Sequence, residues 1–525
     1  MLLVEHFPVI IVGLSMFLAY TMLLAGYINR RLPFFMSLAM NFFFLFLSIF
    51  VLNHVLTEGP IRYWQGGWRP PWGIEYVVDA MNAYLLIIVI SIVILGLIYS
   101  KRNVEFEIEE RKHVTFYTLI QLMAAGLYGI TVTGDLFNMF IWLEIASLTA
   151  YALIAVAGGR ALRPAYNYVI MGSIGACLYI FGVCWLYSAT GTLNFADMRL
   201  LLPLVYDNKA VQMGFAMIVV GVMIKAYIFP LHLWQPDVYT YAPSTVSSMM
   251  ASVHVKVMFY ILLRLFYSVF TLDFIRHYIG LDLVICWVAA AAILAGSIWA
   301  IKQRNLRRML AYSSVSQMGY ILLGVGLSPL SPWGLVGAVA HILNHAVGKG
   351  CLFMCAGAIR QQEGLRDIRD FEGLGKKMPH VCAAFTIAAF SMIGIPFTAG
   401  FASKVFLIIA SLDASQYPFV AVLLISGLLN LIYFWRVIDR MYFARHRGAD
   451  DPAEAASDAP ATVQEAAPSG PSNSAKSGRP LPLSMIAPIL ALASLCIILG
   501  VIWLTDIPSP LINHILSNLR MEATI

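Results

Sequence analysis

Seven ionisable side chains lie inside stretches of sequence otherwise suited to lipid: Glu144, Lys225, Lys256, His341, His345, Lys349 and Lys404. A charged residue deep in a hydrocarbon-spanning segment costs roughly 2.5–3.5 kcal/mol on insertion scales, so such groups face protein or water and mark function by default. His341, His345 and Lys349 are spaced i, i+4, i+8 in LVGAVAHILNHAVGKGCLFMCAG, which puts them on one helix face. Histidine titrates near neutrality, so two in line with a lysine suit proton handling. The same pair could ligate a metal, but no HExxH glutamate and no nearby carboxylate completes a metal site, and none is expected. Glu144 is a lone carboxylate in DLFNMFIWLEIASLTAYALIA. It must protonate or pair with a cation, and Lys225 is the natural partner. Two readings stand: a permanent ion pair that orients two helices, or a relay. Desolvation disfavours an ammonium while a nearby carboxylate favours it, so changing their separation would switch the proton.

Two of the lysines adjoin helix breaks. GVMIKAYIFPLHLWQPDVYTYAPSTVSS carries Lys225 and then Pro230, Pro236 and Pro243. FTIAAFSMIGIPFTAGFASKVFLIIA carries Pro396 between Gly394 and Gly400, followed by Lys404. Proline removes a backbone hydrogen bond that lipid cannot replace. Broken helices with polar groups near the bilayer midplane are a recurrent plan in ion carriers. Ser313, Ser314, Ser316 and Gln317 in AYSSVSQMGY either hold water between two halves of the protein or pack helices.

The elements that must position these groups are membrane helices. Of 525 residues, 60% are hydrophobic and 12% charged, and mean hydropathy is +0.78; a soluble domain carries about 25% charged residues. The net charge of +6 is no nucleic-acid signal, because the basic residues are confined to short loops. Apolar runs fall near residues 4–28, 33–57, 77–100, 113–132, 135–157, 165–190, 210–232, 244–270, 281–301, 306–327, 331–359, 380–411, 417–444 and 482–505, fourteen in all. With both termini outside, inner loops hold 23 Lys and Arg and outer segments six, as the positive-inside rule requires. The N-terminus lacks a basic region and a cleavage motif and reads as a first transmembrane helix. Five basic residues fall within spans: the four lysines and Arg264, which is expected to snorkel to the interface. The seven cysteines form no CxxC pair and read as buried small apolar side chains, with no cofactor expected.

The expected fold is an all-α polytopic membrane protein. Residues 1–112 hold three spans, 113–270 a first five-helix repeat and 281–444 a second. Residues 445–481 are an inner loop whose 448–480 stretch is rich in Ala, Pro, Ser and Gly and reads as disordered, and 482–525 a last span and tail. Each repeat contains one lysine beside a proline break, and an odd number of spans per repeat forces inverted topology.

TGDLFNMFIWLEIASLTAYALIA, the Lys225 segment, LAYSSVSQMGYILLG, HILNHAVGKGCLF and GIPFTAGFASKVF together resemble the antiporter-like subunits of respiratory complex I, membrane-bound hydrogenases and Mrp multisubunit cation/proton antiporters. The likeness runs from about residue 75 to 445, and its first motif is most similar to the D-type subunit of Mrp antiporters. The resemblance implies a protonatable chain across the midplane: Glu144 paired with Lys225, Lys256 as the connecting lysine, His341, His345 and Lys349 in the centre, and Lys404 as the terminal group. One complex I subunit type has glutamate at that last position, and Lys404 argues against it. The implied function is a proton-translocating subunit of a Na⁺/H⁺ or other monovalent cation/proton antiporter, multi-pass in the inner (plasma) membrane with other membrane subunits as partners. The alternative is a proton-pumping subunit of a redox complex. Neither places catalytic chemistry in this chain itself.

Overall fold

The apolar runs fold as helices because a bilayer leaves a backbone no other way to satisfy its N–H and C=O groups. The computed structural model describes residues 2–444, 481–503, 505 and 509–521. The 448–480 segment, expected to be disordered, lies outside the described residues, as do Arg445, Arg447, Lys476 and Arg479 of the inner-loop count. Among the described residues, twelve helices are long and apolar enough to cross a membrane. Two further spans are broken: Lys209–Lys225 continues past an irregular stretch as Gln235–Tyr241, and Pro379–Ile393 continues as Ala399–Asp413. The fourteen expected spans are thus accounted for, the broken ones being the seventh and twelfth.

Span four (His113–Val132) packs on span five (Leu136–Ala155), and span six (Leu162–Thr190) packs on the first half of span seven. In the second unit span nine (Leu281–Lys302) packs on span ten (Leu306–Leu327), and span eleven (Pro332–Glu363) packs on both halves of span twelve. Each five-span unit carries its break in the fourth span, and five being odd, the two units run in opposite directions.

Burial separates lipid-facing helices from the centre. Spans one and two (Phe7–Ile28 and Leu32–Glu58) and span thirteen (Tyr417–Tyr442) show large apolar side chains outward, among them Phe17, Phe46 and Leu428. Span eight, by contrast, is buried at every residue from Ser244 to Phe270. It includes π-helical turns at Met250–His254 and Leu265–Val269. It lies against spans three (Ala80–Glu107) and eleven, bridging the two units.

Three expectations need correction. Arg264 does not snorkel: it is buried on span eight and pairs with Asp79 at 2.6 Å, where Asp79 caps the N-terminus of span three. A buried partner outcompetes the interface once the helix carrying it is enclosed on all sides. Lys101, Arg102, Arg163, Lys209, Lys302, Arg307, Arg308, Arg360, Arg436 and Arg440, assigned to loops, lie on the helices of the spans, most of them in an end turn. Of the seven cysteines, Cys177 and Cys184 are exposed, because they fall on the outer face of span six.

Candidate functional site

The first break leaves Lys225 as the last residue of its half-helix, just ahead of the break's Pro230. Such a break strands carbonyls in the membrane. Here the Trp234 indole N–H donates to Ile224 O at 3.1 Å, and Ile228 N–H turns back onto Met223 O at 3.0 Å. Trp234 is held flat on the Tyr168 ring, with centroids 3.8 Å apart. With the backbone satisfied, the Lys225 ammonium is free for side chains. It donates to Glu144 at 2.8 Å, Ser147 Oγ at 2.9 Å and Tyr151 Oη at 3.3 Å, all from span five. Glu144, Ser147 and Tyr151 are spaced i, i+3, i+7, one helix face. The Lys225 side chain is fully buried, whereas that of Glu144 is 25% exposed.

The second break, around Pro396, solves the same backbone problem with its lysine. Gly394 takes φ +92°, a conformation that L side chains rarely adopt. Lys404 sits one turn into the following half-helix and reaches back, donating to Met392 O and Ile393 O at 2.8 Å each. A cation there also complements the helix C-terminus. Lys404 lies over the Tyr320 ring at 4.8 Å.

The central stripe lies between the two breaks. His341 is held by Ser403 Oγ at 2.9 Å and Gln317 Oε1 at 3.0 Å, and His345 stacks beside it with ring centroids 6.3 Å apart. His345 is fully buried, and neither ring nitrogen is hydrogen-bonded among the described residues. Lys349 donates to Leu310 O and Ser313 Oγ, each at 2.9 Å. Lys256 on span eight is fully buried and donates to Ala251 O within its π turn.

Sequence reasoning missed His254, which is buried two residues before Lys256 with no hydrogen bond to Nε2 among the described residues. It also missed Ser147 and Tyr151, although their spacing from Glu144 was a usable signal. Of the span-ten hydroxyls, Ser313 joins Lys349, Ser316 joins Ser297 at 2.9 Å, and Ser314 turns back onto Leu310 O.

Residues 133–430 match the family model described as NADH:quinone oxidoreductase/Mrp antiporter, TM. The chain is 41% identical over 498 residues to NADH-quinone oxidoreductase subunit N of Desulforudis audaxviator, covering 94% of this chain and 95% of the relative. It is 29% identical to the D-type subunit of the Na(+)/H(+) antiporter of Alkalihalophilus pseudofirmus, over 78% and 81% of the two chains. Its fold is similar to a chain in the structure of the Mrp complex from Dietzia sp. DQ12-45-1b, with a TM-score of 0.86, 26% identity, and 99% and 98% of the chains covered.

Proposed function

Since the chain belongs to the NADH:quinone oxidoreductase/Mrp antiporter family of membrane subunits, we propose that it translocates protons along its line of buried Glu, Lys and His side chains. The observation that carries this reading is the 2.8 Å contact between Lys225 and Glu144 beside a broken helix, at one end of a set of charges that extends to Lys404. A proton reaching Lys256 or Lys225 changes the Glu144–Lys225 pairing, and the change passes by way of His341, His345 and Lys349 to Lys404. Two unit charges about 6 Å apart interact by about 2.8 kcal/mol at an effective dielectric near 20. That is roughly a hundredfold in a protonation equilibrium, enough to switch a site.

The work is coupled, in the first reading, to exchange of Na⁺ or another monovalent cation, with the chain acting in the plasma membrane beside other antiporter subunits and with both termini outside. The fold likeness to the Dietzia Mrp complex and the Alkalihalophilus antiporter relative support it. The second reading is a proton-pumping subunit of a redox complex, which the 41% identity to the Desulforudis oxidoreductase relative favours. Both share the membrane chemistry. The test is Lys225→Ala in the assembled complex, reconstituted in vesicles: proton flux falls at least tenfold with subunit content unchanged. Wild-type flux in that variant refutes translocation through this line. Cation-dependent flux from an iron-free complex selects the first reading, and stoichiometric iron in the purified complex selects the second.

A further inference from the structure

One buried carboxylate has no place in that line. Glu107 ends span three with its side chain only 4% exposed. Ser244, the first residue of span eight, donates its backbone N–H to Glu107 Oε2 at 2.5 Å and its hydroxyl to Oε1. Arg360 Nη1 lies 3.4 Å from Oε1 and Arg307 Nη2 3.6 Å. The Arg307 side chain is buried, but that of Arg360 is 27% exposed, so only one of the two guanidiniums has a way out to water.

From Ser244 a run of hydroxyls leads inward. Ser244, Ser248, Ser252 and Lys256 follow one another at intervals of four, and all are fully buried. In a continuous α-helix each such step overshoots by about 40°. The π-helical turn at Met250–His254 holds more residues per turn, which offsets the drift and keeps Lys256 near the hydroxyl face. Span eleven makes room for this face with glycines seven residues apart. A Cβ on Gly350 would sit 3.0 Å from Ser252 Oγ, and one on Gly357 would sit 2.7 Å from Ser244 Cβ. At the far end, beside Lys256, lies His345 with both ring nitrogens unbonded among the described residues.

We propose that Glu107 is the loading carboxylate of a proton path that runs along Ser244, Ser248 and Ser252 to Lys256. The inference rests on the proton-translocation reading above and adds a route by which protons reach the line from one face. With both arginines in place Glu107 is held ionised. When Arg360 swings out, the carboxylate takes a proton from water. Ser248 Oγ donates to Gly350 O at 3.3 Å and Ser252 Oγ to Ser248 O at 2.6 Å; as each hydroxyl turns off its carbonyl the proton passes from one to the next, residues one turn apart having Cβ atoms about 5–6 Å apart, and reaches the neutral Lys256 amine, which becomes an ammonium as Glu107 becomes a carboxylate again.

The competing explanation is that the serines only allow close helix packing. Alanine preserves packing and removes the hydroxyl, so Ser248→Ala/Ser252→Ala in the assembled complex separates the two. In vesicles the double variant should lose at least tenfold of its proton flux with unchanged thermal stability and subunit content. Glu107→Gln should do the same, and Glu107→Asp should restore part of the flux. Flux within twofold of wild type in the serine double variant, while Lys225→Ala still abolishes it, overturns the path even where Glu107→Gln fails to assemble. Wild-type flux in Lys225→Ala as well would place the failure in the underlying reading.

Discussion

At the residue scale, Lys225 and Lys404 are the same side chain put to two uses. Lys404 donates to two backbone carbonyls that cannot move away, whereas Lys225 donates to three side chains that can. On this geometry Lys225 is the easier ammonium to release. Glu144→Gln keeps the shape and an acceptor but removes the charge, and should cut proton flux at least tenfold, as measured by vesicle acidification. Lys404→Ala leaves Ile393 O short of a donor and Met392 O with the long 3.5 Å bond from Asn430 Nδ2, at about 1–3 kcal/mol per orphaned group, so a lower melting temperature should accompany its loss of flux. The Arg264–Asp79 pair is buried at both partners. Removing one partner of such a pair costs about 3–5 kcal/mol. Asp79 also accepts from Met81 N–H and Asn82 N–H as a helix cap. Asp79→Ala should therefore be among the most destabilising substitutions in the chain, read as a drop in the complex's thermal midpoint.

At the element scale, the breaks in spans seven and twelve are held open by specific side chains rather than by proline alone. The tenth span supplies Gln317, Ser313 and Leu310 O to the central stripe, and the twelfth supplies Ser403. Gly394 is the pivot of the second break. A left-handed backbone costs an L residue roughly 1–2 kcal/mol, and a Cβ there would lie 3.0 Å from Lys404 Cδ. Gly394→Ala should lower both stability and flux, and it should do so more than alanine at Gly427, where a Cβ meets nothing within 4 Å. Equal effects at the two sites, measured by melting and vesicle flux, would remove the special role given to Gly394.

At the scale of the whole molecule, the charges are gathered on helices enclosed by others. Span eight sits at the join between the two units, clamped to span three at both ends: by Ser244 on Glu107 and by Arg264 on Asp79. The outer spans expose broad apolar faces that suit lipid or neighbouring subunits. Mild-detergent purification should accordingly recover the chain with other membrane subunits, and recovery as a lone, active species would contradict a role as one subunit of a larger machine.

The sequence alone determined the medium, the number of spans and the positions of the breaks, because lipid imposes a length and polarity rule that each segment must obey by itself. It also determined which groups are titratable and that His341, His345 and Lys349 share a face, since helical periodicity is local. Only the tertiary structure decided who meets whom. Arg264 is drawn inward because Asp79 arrives from another helix. Glu107 reads as an ordinary helix-end charge until span eight and two arginines close over it. Pairings of this kind depend on how helices pack, and in lipid that packing is set by van der Waals fit and polar contacts between distant segments, which no local pattern records.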